Sequence, residues 1–226
     1  VLKTAQEEMG RPVEIEFAVN LDYSKKKQHV FYLLQIRPIV DTKEIIQENI
    51  GKIDVENTII FSKSALGHGI TNDITDIIYV RPEAFDATHN HKIVGEIDQL
   101  NREMIRQNRN YVLIGPGRWG SNDPWLGIPV KWSQISNARV IVESGLSHYR
   151  VDPSQGTHFF QNLTSMGASY FTINPYINDG TYQVDFLNSQ KAEFESKFIR
   201  HIRFEKPVVI KVDGRKNMGV ILKPEE

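Results

Sequence analysis

Residues 113–132 read LIGPGRWGSNDPWLGIPVKW, and how this stretch folds decides what kind of α/β protein the chain can be. It continues NYVLI, a short apolar strand of the fully buried type, and sets Gly115, Gly117 and Gly120 in the order G-x-G-x-x-G. Between a strand and a helix, that spacing lets a dinucleotide pyrophosphate rest on the helix N-terminus, with an acid about twenty residues on. The strand is present, and Glu143 at the end of ARVIVE stands at a tolerable distance for the acid. The helix is missing, because Pro124, Gly127 and Pro129 interrupt any helical run after the glycines. The stretch therefore predicts a structured Gly/Pro loop rather than a dinucleotide turn. Two roles stay open. Gly115, Gly117 and Gly120 could present backbone N–H groups, with Arg118, to an anion, leaving Arg118, Trp119, Asp123 and Trp125 exposed. Alternatively, the loop is only a packed connection with its tryptophans buried.

Working outward, the chain opens with VLKTAQEEMG, which reads as the last turns of a helix stopped by Gly10. A chain that opens inside a helix is expected to be a piece of a longer protein. Apolar and polar residues alternate from Val13 to Val19, a strand signal, and VFYLLQIRPIV is a second β-rich run ended by Pro38. The charged turn DYSKKKQH joins them as a hairpin. DTKEIIQENIGK is a short helix candidate between an Asp41 or Thr42 cap and Gly51, and the domain boundary is placed there: 1–40, then 41–226. NTIIFSKSALGHGI and DIIYVRPEAF are further strands. GEIDQLNREMIRQN carries Ile97, Leu100, Met104 and Ile105 at helical spacing. ARVIVES is another buried strand, and QGTHFFQNLTSM a helix candidate capped by Ser154. SYFTINP, YQVDFL, FIRHIRF, PVVIKV and GVILK read as strands, and SQKAEFESK as helical. Elements alternate in the middle and the end is strand-rich, which gives a mixed α/β fold, or α+β.

The bulk properties exclude several classes. The 226 residues are 40% hydrophobic and 24% charged, with a net charge of -1, so no basic field points to nucleic acid or an anionic membrane. Cysteine is absent, which removes disulfides, thiolate catalysis and Cys–zinc sites and fits a cytoplasmic protein. No apolar run approaches the roughly 18 residues of a membrane span.

In the hairpin, Glu14 and Glu16 share one face, opposite to Ile15 and Phe17, and Gln35 and Arg37 share a face on the second strand. Pairing can bring Glu16 opposite Gln35 and Arg37. On pattern alone this is an exposed cross-strand salt bridge. The same residue types suit a metal–nucleotide site, where Mg²⁺ takes hard oxygens and Arg pairs with phosphate through its planar fork.

GRPVEIEFAV followed by FYLLQIRPI resembles the end of the ATP-grasp nucleotide-binding domain of the phosphoenolpyruvate synthase and pyruvate phosphate dikinase family. There a helix ends in Gly, a strand D-I-E-[WF]-A follows, and then a strand L-x-x-L-Q-x-R-P. The resemblance covers roughly the first forty residues. It implies that Glu16 and Gln35 help hold Mg²⁺–ATP, with Glu16 and Gln35 as the metal-side residues, and that Arg37 contacts phosphate. Two departures are visible: the usual Asp is Glu14, and the hairpin loop NLDYSKKKQHV is longer than usual. The resemblance also implies parts not seen here: an upstream lysine of the ATP site, a phosphoryl-carrier histidine in a motif like G-G-x-T-S-H-A, and a TIM barrel for pyruvate. Residues 41–226 resemble, more weakly, the divergent C-terminal part of long bacterial synthase-like proteins. The expectation is an ATP-dependent phosphotransferase of which this chain is a C-terminal part, inactive alone. ATP and Mg²⁺ would be cofactors of the whole, none being required by the part. Its partners would be the rest of the parent chain and pyruvate or another small acid as substrate, with a homo-oligomer left open. The competing expectation is a ligand- or partner-binding regulatory module that uses the Arg118 loop.

Histidines offer little more. His158, after Gly156 and Thr157 at a helix start, faintly echoes the carrier motif but is followed by Phe159 and Phe160 instead of small residues. A core or capping histidine is the simpler reading. His89 and His91 in THNHK have the i, i+2 spacing of zinc ligands but no third ligand nearby, so a solvated loop is expected. His68 sits between glycines at a turn.

Overall fold

The structure is a computed structural model and describes residues 1–9, 13–21, 29–38, 50, 53–121, 123, 125–147, 150–152, 163 and 167–225. The expected Gly10 stop, the lysines of the hairpin tip, the helix around 41–52 and the helix after Ser154 lie outside the described residues. The chain divides into two compact units, Val1–Lys43 and Glu44–Glu226.

The smaller unit is α1 (Leu2–Met9) with an antiparallel hairpin of β1 (Val13–Asn20) and β2 (Val30–Pro38). Both faces of the hairpin carry some apolar side chains, and Phe17, Tyr32 and Leu34 are about half exposed (53%, 52% and 60%). Phe17 stacks on Phe31 across the strands, with centroids 5.0 Å apart.

The larger unit is built on one mixed sheet of ten strands. In chain order it contains β3 (Thr58–Ser62), β4 (Ser64–Leu66), β5 (Gly69–Val80), α2 (Asn90–Arg106), β6 (Tyr111–Pro116), a short pair β7 (Arg118–Trp119) and β8 (Gly127–Ile128), β9 (Ala138–Ser144) and β10 (Ser169–Ile173). Then follow β11 (Thr181–Tyr182), α3 (Val184–Ser189), β12 (Ala192–Glu195), β13 (Ile199–Asp213) and β14 (Met218–Leu222). The strands lie in the order β11-β3-β14-β13-β5-β6-β9-β10-β4, with β12 beside β13, while β7 and β8 pair apart from it. This is the mixed α/β architecture that the alternation of elements implied. β5, β6, β9 and β10 run parallel, and β6, β9 and the end of β5 (Ile77 to Val80) are nearly continuous apolar runs, as strands covered on both faces must be.

The sheet closes on itself. Only Lys63 separates β3 from β4, yet β3 pairs with β14 and β4 with β10, near opposite ends of the strand order. The Ser62 hydroxyl donates to the Thr172 carbonyl (2.8 Å), and the Ala65 N–H donates to the Asn217 carbonyl (3.0 Å), so both sides of the seam are tied. Alternation along each strand then fills two cores. Ile77, Tyr79, Val112, Val142, Phe171 and Ile210 point into the rolled sheet. Ile78, Leu113 and Ile141 face outward, beneath Ile93, Ile97, Leu100 and Met104 of α2; Ile105, expected on this stripe, is exposed instead. Among the described residues no helix is long and apolar enough to cross a membrane.

Three expectations are corrected. SQKAEFESK is not helical: Ala192–Glu195 forms β12 and pairs with β13. In YQVDFL only Tyr182 is in a strand, and the rest begins α3, where Val184 and Leu187 reach the core at i, i+3. Arg200 holds the end of that helix by donating to the carbonyls of Leu187 (3.1 Å), Asn188 (2.9 Å) and Gln190 (2.9 Å), a cation capping orphan carbonyls. FIRHIRF and PVVIKV are one strand, β13, whose pairing with β5 shifts register between Arg203 and Val208, across Pro207, a residue that cannot donate to a ladder.

At the seam, a Cβ on Gly219 would lie 2.6 Å from the Phe171 ring. Gly219→Ala should therefore cost about 1–3 kcal/mol by overpacking. Phe171→Leu in the same chain should recover part of that loss, a non-additivity that urea unfolding of the single and double variants measures.

Candidate functional site

The hairpin register places Glu16 directly opposite Gln35 and Glu14 directly opposite Arg37. Arg37 is thus one pair removed from Glu16 on the same face, diagonal to it rather than opposite. A bulge after Glu16 shifts the later pairs, Phe17 meeting Leu33, so the Glu16–Gln35 pair ends the regular ladder. Glu16 and Gln35 are exposed. The Arg37 side chain lies outside what is described.

The Gly-rich loop follows a different logic from the motif it imitates. No helix follows the glycines. The chain instead forms β7, turns, and returns as β8 parallel to it. Each glycine has an internal duty. A Cβ on Gly115 would lie 2.3 Å from the Trp119 ring, so the absent side chain is the space that the indole fills. Gly117 (φ +68°) and Gly120 (φ +72°) adopt the left-handed backbone that other residues avoid. The amides are likewise committed. Gly117 N–H donates to Ser144 O (3.0 Å), Arg118 N–H to Leu126 O (2.8 Å), Trp119 N–H to the Glu143 carboxylate (2.9 Å) and Gly120 N–H to Ile128 O (2.8 Å). Backbone N–H groups from Gly117 to Gly120 are therefore spent inside the protein, and the expectation that they cradle an anion is corrected. Arg118 Nε donates to the Asp152 carbonyl (3.1 Å).

Glu143 explains the fold-back. It is fully buried on β9, where it accepts the Trp119 amide and the Tyr170 hydroxyl (2.5 Å). The Tyr170 hydroxyl in turn accepts from Thr172 (3.0 Å). The acid that would have held a ribose in a dinucleotide fold is a strut under the loop. The tryptophans divide: Trp119 is 2% exposed, its indole N–H donating to the Val142 carbonyl (3.0 Å), while Trp125 is 73% exposed.

His158 lies outside the described residues. His89 and His91 do not sit in a solvated loop, since α2 begins at Asn90 and takes His91 into its first turn. Among the described residues no group of three or more potential ligands could hold a metal ion.

One constellation escaped the sequence. Asp76 on β5 is fully buried; His201 on β13 approaches it through Nε2 (2.7 Å), and Arg109 through Nη1 (3.2 Å). Thr75 Oγ1 donates to its other oxygen (2.8 Å). Arg109 is delivered by the end of α2: Asn108 takes a left-handed φ of +51°, and the Asn108 and Arg109 amides bond back to Ile105 O (3.0 Å) and Met104 O (2.9 Å), a Schellman closure. The available signal was an Asp and a His at positions that alternate with the inward-facing Ile77 and Ile202. His201 and Arg109 border a cavity of about 230 Å³ between α2 and β12.

No protein-family model, curated protein or solved structure matches the chain.

Gly115→Ala should displace the Trp119 indole and cost about 1–3 kcal/mol, read as a lower urea midpoint and, with Trp125 and Trp132 replaced by Phe, a red-shifted fluorescence maximum. Asp76→Ala should cost about 3–5 kcal/mol because it strands a buried guanidinium and imidazole. Replacing Asp76, Arg109 and His201 together with Leu, Met and Phe should cost much less than the sum of the three single changes, measured by the same unfolding series.

Proposed function

We propose that the chain carries one edge of the Mg²⁺–ATP site of a larger phosphoenolpyruvate synthase-like phosphotransferase, and is not catalytic by itself. The observation that carries this reading is the hairpin register, in which Glu16 stands opposite Gln35 with Arg37 on the same face one pair away. The donor set suits the group. A carboxylate and an amide oxygen are the hard ligands that Mg²⁺ prefers, and a guanidinium one step along the ladder suits a phosphate. Metal-bound ATP supplies the phosphoryl group to be transferred. Glu16 and Gln35 orient the metal side, and Arg37 balances phosphate charge.

The state of the hairpin supports the same reading. A two-stranded ribbon is marginal in water unless a face is covered, and this one leaves Phe17, Leu33 and Leu34 exposed. Apolar side chains on both faces of a ribbon suit an element that belongs inside a larger domain. The competing reading, a regulatory module that captures an anion with the Arg118 loop, lacks the backbone donors it needs.

In the longer protein, Glu16→Ala, Gln35→Ala and Arg37→Ala should each lower ATP turnover by about 100-fold or more, with Arg37→Lys recovering only part because it cannot present a planar fork. A steady-state assay of ATP consumption with pyruvate or another small acid checks this, and unchanged turnover in all three alanine variants overturns it.

A further inference from the structure

The parallel strands β5, β6 and β9 end at the same rim of the rolled sheet, and in parallel sheets the crevice beyond the carboxyl ends is where ligands bind. Here the rim holds a groove of about 380 Å³. Phe85 and Asp86 reach it from the segment after β5, Gly117 from that after β6, Leu146 from that after β9, and Trp125 and Leu126 from the β7–β8 turn. Its size falls within the range of small-molecule sites, about 300–1,000 Å³.

Three features fix the chemistry it suits. First, Trp125 leaves 73% of its surface in solvent while lining the groove, an exposure unusual for the largest side chain. The backbone beneath it is held by the Asp123 carboxylate, which accepts the Trp125 amide (3.0 Å). Second, Asp86 is the one charged residue among the described residues that line the groove. The backbone N–H of Thr88 donates to Asp86 Oδ1 (2.9 Å) and holds its carboxyl below the usual range, with the hydroxyl of Thr88 and then His89, whose Nδ1 is 3.3 Å from Oδ2, acting in the same direction. Third, among the described residues the loop amides from Gly117 to Gly120 bond within the protein, and Arg118 Nε donates to the Asp152 carbonyl, so the backbone donors an anion would use here are taken.

A single negative charge beside aromatic rings in an otherwise apolar groove is complementary to a cation with an apolar coat. The ring quadrupole attracts the charge, the carboxylate balances it, and Leu126 and Leu146 accept the methyl or methylene groups. We propose that the groove binds a small organic cation, an alkyl- or quaternary ammonium, with Trp125, Phe85 and Asp86 as the recognising side chains. This site is built from residues of the larger unit alone and does not depend on the ATP reading.

The test is a calorimetric or ligand-observed NMR titration of the whole chain with choline and with 3,3-dimethyl-1-butanol, the uncharged compound of the same shape, and with acetate as an anionic control. Saturable binding of choline at millimolar concentration is expected, with the alcohol and acetate at least about tenfold weaker. Trp125→Ala and Asp86→Asn should each weaken choline binding by about tenfold. Trp125 is a surface residue, and Asn can keep the contact to the Thr88 amide, so circular dichroism and unfolding midpoints should stay those of the unaltered chain. Equal binding of the alcohol, preference for acetate, undiminished affinity in both variants, or no saturable binding of choline at any millimolar concentration each overturns the proposal.

Discussion

Lys63 is the hinge on which the larger unit closes. On one side of it β3 joins β14, and on the other β4 joins β10, so one bent strand supplies partners near both ends of a sheet that would otherwise carry open edges. Open edges invite pairing with other chains, and rolling the sheet removes most of that exposure. Rolling also divides the apolar residues. Those on one face of β5, β6, β9 and β10 become the interior, and those on the other need a cover, which α2 and the Trp119 loop provide. The loop can serve as cover only because its own polar groups are satisfied locally. Glu143 is therefore coupled to the closure: without its carboxylate beneath the loop, the buried Trp119 amide would lose its partner.

Two buried carboxylates carry the polar structure of this unit, and both show how a charge survives in an apolar layer. Glu143 meets a backbone amide and a phenol; Asp76 meets an imidazole, a guanidinium and a hydroxyl. Burying either alone would cost several kcal/mol. Partners offset much of that cost, and Asp76 ties β5 to β13 and to the end of α2 at once. The cost of a single change lies largely in the unpaired remainder, so the three side chains are energetically coupled and not additive.

What the sequence made legible followed the length and periodicity of each signal. α2 spans several turns, and Ile97, Leu100 and Met104 of the expected stripe are buried, while Ile105 is exposed and Ile93 completes the face instead. β6 and most of β9 are apolar runs, and the hairpin pairs Glu16 with Gln35 because alternation leaves few registers. α3 and β12 were exchanged because six and four residues give too few repeats to separate a period of 3.6 from a period of 2. Closure was invisible, since Ser62 and Thr172 are 110 residues apart and neither carries a pattern that names the other. The same holds for Asp76 and His201, separated by 125 residues. The hairpin evidence could be read because its partners are neighbours in the chain.

The G-x-G-x-x-G run shows why a spacing of glycines is not itself a binding site. Glycine is needed wherever backbone approaches something closely, and a phosphate is only one such thing. In a dinucleotide loop the glycines clear space for an external anion, and the helix behind them leaves its first amides unpaired to receive it. Here Gly115 clears space for an indole from four residues along the same chain, and Gly117 and Gly120 turn the backbone so that β7 can meet β8. The amides that a helix would have left open are closed by Ser144, Leu126, Glu143 and Ile128. The distinction lies in the residues after the motif: Pro124, Gly127 and Pro129 cannot form the helix, and without the helix the amides must find partners within the fold. A loop so satisfied presents an exposed ring and a nearby acid instead of donors, and so the rim of this sheet favours positive charge where the motif would have favoured negative.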